Sequence, residues 1–198
     1  MTLAQRLRAA LEQGRQRTLI LLEGDVFDPL DGGPPTAAAV LVPVVDRPEP
    51  TVILTERPTT MRTHAGQISF PGGRIDPGDG GPVAAALREA EEEIGLPRHL
   101  VDVIGVADTY RTITGFEVTP VVGVVPPDLD LAPHPGEVAD MFEAPLDFLL
   151  DPARQVAQKV DWQGRERVYY EIVWEGRRIW GATAAMIVNL SRRLEPGR

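Results

Sequence analysis

The sequence contains no cysteine, and only one of its 20 basic residues is a lysine, Lys159. Without cysteine the chain can form neither a disulfide bond nor a thiolate metal site. No apolar run approaches the roughly 20 residues that cross a bilayer as a helix, and the first residues lack the apolar centre of a signal peptide. We therefore expect a cytoplasmic protein that does not enter a membrane.

Positive charge is also scarce, since 29 acidic side chains face 20 basic ones and the net charge is −9. A protein that binds nucleic acid regardless of sequence needs a basic surface, so nucleic acid is not an expected partner. A small anionic ligand remains compatible with this charge, because bound divalent cations reverse the local field. The length of 198 residues suggests one domain with terminal additions.

Hydrophobic patterns predict an N-terminal helix and lead-in, residues 1–35, followed by a larger domain, residues 36–194. Helical spacing occurs at residues 3–13 and 181–194, and residues 28–35 are typical of a loop. Strands are predicted at residues 37–45, 51–55, 67–70, 100–108, 116–125, 155–162 and 165–174, and residues 143–150 are expected to pass from strand to short helix. The fold class is α/β (α+β), a sandwich with helices on both faces of a mixed sheet.

The chain places four carboxylates in five consecutive positions of a predicted helix, from Glu89 to Glu93. Glu89, Glu92 and Glu93 share one helical face because they are three and four residues apart, and Glu91 points away. Like charges at these spacings destabilise a helix unless a cation lies against them. Oxygen ligands in this arrangement suit Mg²⁺ or Mn²⁺. The alternative is an acidic face that is simply solvated.

The residues around this helix also carry information. Ser69 to Gly73 is interpreted as a strand that ends in a glycine turn, and a loop at residues 74–81 leads to the helix. Pro82 suits the first helical position, and Asp79 lies near the helix start, where negative charge is favoured. Gly95 is a good C-terminal cap.

Residues 88–96 resemble the second half of the Nudix box, G-x5-E-x7-R-E-U-x-E-E-x-G-U, in which U is aliphatic. This half matches at every specified position if Ala90 counts as U. In the first half, Gly73 and Asp79 take the roles of the family's Gly and Glu after a one-residue insertion. The resemblance implies a Nudix-like α/β/α sandwich with a central catalytic loop and helix, which hydrolyses diphosphates with Mg²⁺ or Mn²⁺ as cofactor.

An upstream stretch, residues 53–73, resembles a second motif, L-L-T-x-R-S-x-x-L-R-x-H-x-G-Q-V-S-F-P-G-G, of the coenzyme A pyrophosphatase branch of this family. Pro58 departs from the usual Ser. Residues 135–142 and 179–184 also look like this branch, so the similarity covers roughly residues 36–190. It implies hydrolysis of coenzyme A or its derivatives to 3′,5′-ADP and 4′-phosphopantetheine.

The i, i+4 spacing makes Glu89 and Glu93 the expected direct metal ligands. Glu92 is the expected third member, either as a ligand or as a base, and the resemblance implies that the Gly73 carbonyl contributes. For Arg88 we favour a carboxylate of the cluster as its partner, which would fix that carboxylate's rotamer, over direct contact with phosphate.

The resemblance also implies substrate-binding residues, namely Arg57, Arg62, His64 and Gln67. The two arginines could hold the 3′-phosphate or the diphosphate bidentately, and His64 could donate to a phosphate oxygen or simply order its loop. Glu137 is a candidate general base or late metal ligand, since a base need only reach its water; the alternative is a helix-start carboxylate.

Other functions remain open at this point. The same chemistry could act on another nucleoside diphosphate, such as ADP-ribose, NADH or a dinucleoside polyphosphate. A non-catalytic nucleotide-sensing module would predict loss of the box carboxylates, all of which are present. Trp180 and Tyr110 could stack on adenine, and the N-terminal helix and the closing hairpin are candidate elements of a homodimer.

Overall fold

The computed structural model describes residues 1–18, 21–22, 34–60, 64–162 and 165–195, with only the backbone of residues 162 and 165–167. The helices are α1 (Leu3–Arg15), α2 (Pro82–Ile94), α3 (Leu146–Leu150) and α4 (Ala182–Leu194). The strands are β1 (Thr36–Val45), β2 (Thr51–Glu56), β3 (Ile68–Ser69), β4 (Gly72–Arg74), β5 (Asp102–Val106), β6 (Tyr110–Arg111), β7 (Phe116–Val125), β8 (Asp140–Pro145), β9 (Val156–Trp162), β10 (Arg165–Trp174) and β11 (Arg177–Trp180).

Strands β1 to β8 form one mixed sheet. Its main path runs β3-β2-β1-β7-β5, with β4 on β1, β6 on β7 and β8 on β2. The central pair, β1 and β7, is parallel over ten residue pairs, and the other pairs are antiparallel. Strands β9, β10 and β11 form a separate antiparallel sheet.

The mixed sheet is covered on both faces, and β1 shows why. Its side chains alternate between two hydrophobic clusters, with Ala38, Val42 and Val44 in one and Ala39, Leu41 and Val45 in the other. The first cluster includes buried residues of α1, α4 and the three-stranded sheet, and the second includes those of α2. A sheet buried on both faces produces the nearly continuous apolar runs seen in the sequence.

The predicted order of elements is confirmed for most of the described chain, with local differences that include the unpredicted strands β6 and β11. Gly72 and Gly73 were interpreted as a turn and residue 74 as the start of a loop, but these three residues pair with β1 as the short strand β4. Strand β8 begins at Asp140 rather than at residue 143. The predicted loop at 28–35 lies outside the described residues except for Pro34 and Pro35. In the described part of the chain, no helix is long and apolar enough to cross a membrane.

Candidate active site

Helix α2 lies close to the sheet because its inward face is made of small residues. Ala85, Ala86 and Ala90 are completely buried, and each carries only a methyl group between the helix and the strands. Pro82 occupies the start of the helix, as predicted, and Gly95 ends it with a left-handed backbone at φ 68°. These features bring the carboxylates of the helix against strand β4.

Two glycines of β4 meet those carboxylates directly. The Gly72 N–H donates to Oε2 of Glu93 at 3.0 Å. A Cβ atom at Gly73 would lie 2.5 Å from the Glu89 carboxylate carbon, far inside van der Waals contact. In its observed conformation, the Glu89 side chain therefore fills the space that a side chain at residue 73 would need. The structure thus brings together Glu89, Glu93 and Gly73, three of the four predicted metal ligands.

This site concentrates negative charge away from water. Glu93 is only 6% exposed, and burial raises its pKa to about 7, even though the Gly72 N–H opposes the shift. Burial also raises the pKa of Glu89, against the opposing effect of Arg88. Nearby negative charges raise both pKa values further: Glu89 acts on Glu93, and Glu137 acts on both carboxylates.

Arg88 is the main cation bound to the cluster. Its Nε and Nη2 donate to the two oxygens of Asp79 at 3.0 and 2.9 Å, and its Nη1 donates to Glu89 and to Glu92, each at 2.9 Å. A further bond at 3.1 Å reaches the carbonyl of Arg74. Arg88 therefore connects the loop before α2 to two carboxylates on the helix, as the sequence-based preference for carboxylate partners anticipated.

The other two glutamates of the run lie outside the inner pair formed by Glu89 and Glu93. Glu92 bonds to Arg88 and its side chain is 57% exposed. Glu91 pairs with Arg98 at 2.6 Å on another side of the helix. Within the described residues, no three acidic or imidazole side chains converge as a ready cation site. Glu89 and Glu93 thus form the inner part of the cluster, and Glu92 lies at its edge.

Glu137 reaches this region through the loop that follows β7. The His134 N–H donates to the Glu93 carbonyl at 2.8 Å, and the Ala132 N–H donates to the Ile94 carbonyl at 3.0 Å. These bonds fix the loop to the end of α2. Glu137 lies in a turn, where its N–H donates to the His134 carbonyl, and a strand rather than a helix follows. Glu137 therefore does not lie at the start of a helix, which was the alternative considered for it.

Of the four predicted substrate-binding residues, three lie in the described chain and share one loop. The Arg57 N–H donates to the Gln67 carbonyl at 3.0 Å, and His64 Nδ1 lies 2.7 Å from Gln67 Oε1. The charge of Arg57 partly opposes the rise in the pKa of Glu93 that burial causes, so Arg57 lies close enough to act electrostatically on the acidic cluster. Arg57 Nε is buried and has no hydrogen-bond partner among the residues that the structure describes. Arg62 lies outside the described residues.

A pocket of about 510 Å³ opens beside this loop. His64 and Gln67 form one wall, and residues 110 and 112–114 form another. The three-stranded sheet contributes Val160, Tyr169, Arg178 and Trp180. The sequence drew attention to Trp180 and Tyr110, but it gave no signal for the other sheet residues.

A further residue that sequence reasoning missed is Arg177. It donates to Glu56 Oε2 at 3.1 Å and to Asp140 Oδ2 at 2.6 Å, and its guanidinium lies 4.3 Å from the Phe142 ring centre. Arg177 thereby joins the three-stranded sheet to β2 and β8 of the mixed sheet. Because its partners are 121 and 37 residues away, no local pattern could have revealed the contact.

The donor set suits a hard divalent cation. Glu89 and Glu93 offer oxygen atoms only, which are the ligands that Mg²⁺ and Mn²⁺ prefer. Burial is the largest cause of the raised pKa values of Glu89 and Glu93, so their ionised forms are poorly solvated in the protein alone. A cation at this position would therefore stabilise both ionised carboxylates.

The chain is similar to known proteins of one family. The model of the NUDIX domain matches residues 35–162. The chain is 46% identical to the uncharacterized Nudix hydrolase NudL of Cronobacter sakazakii over 157 residues, which cover 79% of this chain and 82% of that protein. It is 43% identical to NudL of Escherichia coli K12, over 79% and 82% of the two chains.

A solved structure, a Nudix hydrolase from M. smegmatis called RenU, is 25% identical and has a TM-score of 0.49. The match covers 58% of this chain and 73% of that one. The NUDIX match includes the mixed sheet and α2, and it confirms the predicted sandwich of helices and mixed sheet.

Proposed function

Since this chain belongs to the Nudix hydrolase family, we propose that it hydrolyses the diphosphate linkage of coenzyme A or its derivatives. The products would be 3′,5′-ADP and 4′-phosphopantetheine. Nudix hydrolases act on nucleoside diphosphates linked to another group and generally need a divalent metal ion. The proposal narrows this general activity to one substrate class and to Mg²⁺ or Mn²⁺.

The observation that carries the hydrolytic part is the contact of Glu89 and Glu93 with the glycines of β4. Under the proposal, these two carboxylates bind the metal, together with the Gly73 carbonyl and with Glu92, directly or through water. Bound Mg²⁺ or Mn²⁺ supplies charge neutralisation of the phosphate oxygens and a lower pKa for bound water. The hydrogen bond from Arg88 holds the Glu89 carboxylate in the space beside Gly73 before the substrate arrives.

The protein must also accept a proton from the attacking water. Glu137 and Glu92 are the candidates, because Glu137 acts electrostatically on Glu89 and Glu93 and Glu92 is exposed at the edge of the cluster. Both residues are held near the cluster. The loop of Glu137 is hydrogen-bonded to the end of α2, and Glu92 is hydrogen-bonded to Arg88. Arg88 would act as a positioning residue, since its donors are engaged by carboxylates and by the Arg74 carbonyl.

The choice of coenzyme A rests on residues 53–73. Arg57 lies beside the acidic cluster, and its buried Nε has no partner in the described part of the chain, so an incoming phosphate oxygen would satisfy this donor. His64 and Gln67 follow on the same loop and border the pocket. We assign Arg57 to the diphosphate, and we assign Arg62, from the motif alone, to the 3′-phosphate.

A substrate panel tests the proposal. The purified chain is incubated with Mn²⁺ and with coenzyme A, dephospho-coenzyme A, ADP-ribose or NADH, and the products are identified by mass. We expect the highest kcat/KM for coenzyme A, with 3′,5′-ADP as a product. Faster cleavage of ADP-ribose or NADH would show that the enzyme acts on another nucleoside diphosphate and not preferentially on coenzyme A. No metal-dependent cleavage of any of the four would favour a sensing module.

A further inference from the structure

The pocket beside the His64–Gln67 loop differs in chemistry from the acidic cluster. Most of its surface comes from carbon, including Ile113, Val160 and Val168. These three side chains belong to residues that are 38%, 40% and 54% exposed. Apolar residues that remain accessible around a concave surface are typical of a site for a largely apolar ligand.

The charged and polar groups of the pocket are already paired within the protein. Arg178 forms an ion pair with Glu171, and its Nη2 donates to the Tyr169 hydroxyl at 3.0 Å. His64 Nδ1 bonds to Gln67. The described lining therefore offers no uncompensated charge, and a ligand group that carries a phosphate or carboxylate would find no free counter-charge there.

Stacking of an adenine ring on Trp180 is also restricted. The Arg178 guanidinium lies 4.9 Å from the Trp180 ring centre, and the Tyr169 ring meets Trp180 at a 70° angle with the centres 6.0 Å apart. A base that stacked on the face covered by Arg178 would have to displace a guanidinium held by Glu171. The adenosine end of coenzyme A also carries the charged 3′-phosphate, which the pocket does not match.

We propose that this pocket binds an uncharged, apolar acyl group carried on the pantetheine end of the substrate, so that the enzyme prefers acylated coenzyme A to the free thiol. This inference rests on the proposed function. The pocket volume of about 510 Å³ suits a ligand portion of drug-like size. The pocket is bordered by His64 and Gln67, and Gln67 is bonded to the backbone of Arg57 beside the acidic cluster. Under this inference, a single extended substrate contacts both regions.

Two acyl substrates test the inference against free coenzyme A. Octanoyl-coenzyme A provides an apolar chain, and a chain of similar length ending in a carboxylate provides the charged comparison. Each buried methylene is worth up to ~4-fold in affinity, so we expect kcat/KM to rise at least ~10-fold for the octanoyl form. The carboxylate-ended form should gain little. Equal or lower kcat/KM for the octanoyl form would overturn the inference.

Matched variants locate the effect in the pocket. Val160→Asn places an amide in the lining, whereas Val173→Asn makes the same change at a 51% exposed position of the same sheet that does not line the pocket. We expect Val160→Asn to reduce the ratio of octanoyl to free-thiol kcat/KM at least ~5-fold, and Val173→Asn to retain it. If the ratio of octanoyl to free-thiol kcat/KM is the same in both variants, the acyl chain binds outside this pocket.

A binding measurement separates this inference from the proposed function. Octanoyl-pantetheine lacks phosphate and needs no metal, so its binding can be followed by tryptophan fluorescence in the presence of EDTA. We expect a saturable change that is lost in Trp180→Phe. If coenzyme A is not hydrolysed but this change occurs, the proposed function fails and the pocket assignment stands. If hydrolysis occurs and octanoyl-pantetheine gives no change, only the pocket assignment fails.

Discussion

Arg88 and Asp79 form a bidentate pair, in which Nε and Nη2 donate to the two carboxylate oxygens at 3.0 and 2.9 Å. Asp79 occupies the place of the Glu in the Nudix box, and its partner starts the second half of that box. The hydrogen bonds from Arg88 lower the pKa of Asp79, so the carboxylate remains ionised. This pair attaches the loop before α2 to the helix and leaves Nη1 of Arg88 for Glu89 and Glu92.

Arg88→Lys should impair catalysis more than substrate binding. A lysine ammonium is a point charge and cannot donate to Asp79, Glu89 and Glu92 in the same fixed geometry. We expect kcat to fall about 10- to 100-fold, the effect usual for residues that orient metal ligands, with little change in KM. Arg98→Lys is the matched control, because Arg98 pairs only with Glu91 among the acidic helix residues. Equal losses in the two variants would contradict the positioning role.

Glu93→Gln and Glu89→Gln should each lower kcat at least ~10²-fold if these carboxylates hold the metal that stabilises the developing charge. Glutamine preserves the shape of the side chain but removes its charge. Glu91→Gln is the control, since Glu91 belongs to the same run and points away toward Arg98. Steady-state kinetics with Mn²⁺ at saturating concentration would check the result, and near-wild-type turnover in either test variant would refute the ligand assignment.

Gly73→Ala should damage the site without a change of charge. The added Cβ would lie 2.5 Å from the Glu89 carboxylate carbon, so the side chain or strand β4 would have to move. A displacement of about 1 Å at a reacting centre can cost ~10²-fold in rate, and we expect a loss of that order in kcat. Gly78→Ala is the matched control, because a Cβ there meets no atom within 4 Å. Retained activity in Gly73→Ala would show that Glu89 tolerates another position.

Local signals in the sequence were sufficient for the elements that carry the site. Pro82 and Gly95 marked both ends of α2, and the glutamate spacing identified the face that contains Glu89 and Glu93. Gly72 and Gly73 were misinterpreted because glycine usually indicates a turn. Their strand conformation comes from the ladder with β1, whose partner residues lie more than 30 positions earlier.

The remaining features depend on contacts between distant parts of the chain. The helical spacing predicted that Glu92 is the third member of the metal site. In the structure its carboxylate accepts a hydrogen bond from Arg88. Val160 and Arg178 reach the pocket only because the three-stranded sheet lies beside β3 and α4. Composition and periodicity describe residues that are close in sequence. They therefore do not indicate which distant side chains line the pocket.

The metal-free protein should lose stability as the pH rises. Burial raises the pKa of Glu93 to about 7 from 4.5, so the folded state binds more protons than the unfolded state between these values. The contribution of Glu93 to stability is therefore complete below pH 4.5 and is lost as the pH rises toward 7. Between pH 5 and pH 8 in EDTA, the free energy of unfolding should fall by about 2 kcal/mol more in the wild type than in Glu93→Gln.

Urea denaturation at the two pH values measures this difference, since Glu93→Gln retains all other titrating groups. Adding Mn²⁺ at pH 8 should raise the stability of the wild type more than that of the variant, because a ligand that binds only the folded state stabilises it. Parallel pH profiles of the two proteins in EDTA would show that Glu93 ionises freely in the folded chain.

Arg62→Ala should separate recognition of the 3′-phosphate from recognition of the diphosphate. If Arg62 binds the 3′-phosphate, the variant loses a charge-assisted contact worth roughly 2 kcal/mol, and KM for coenzyme A should rise about 10-fold or more. KM for dephospho-coenzyme A should change little, because that substrate lacks the group. Arg57→Ala is the comparison, since Arg57 lies by Glu93 and should affect both substrates equally. An equal effect of Arg62→Ala on both substrates would remove the 3′-phosphate assignment.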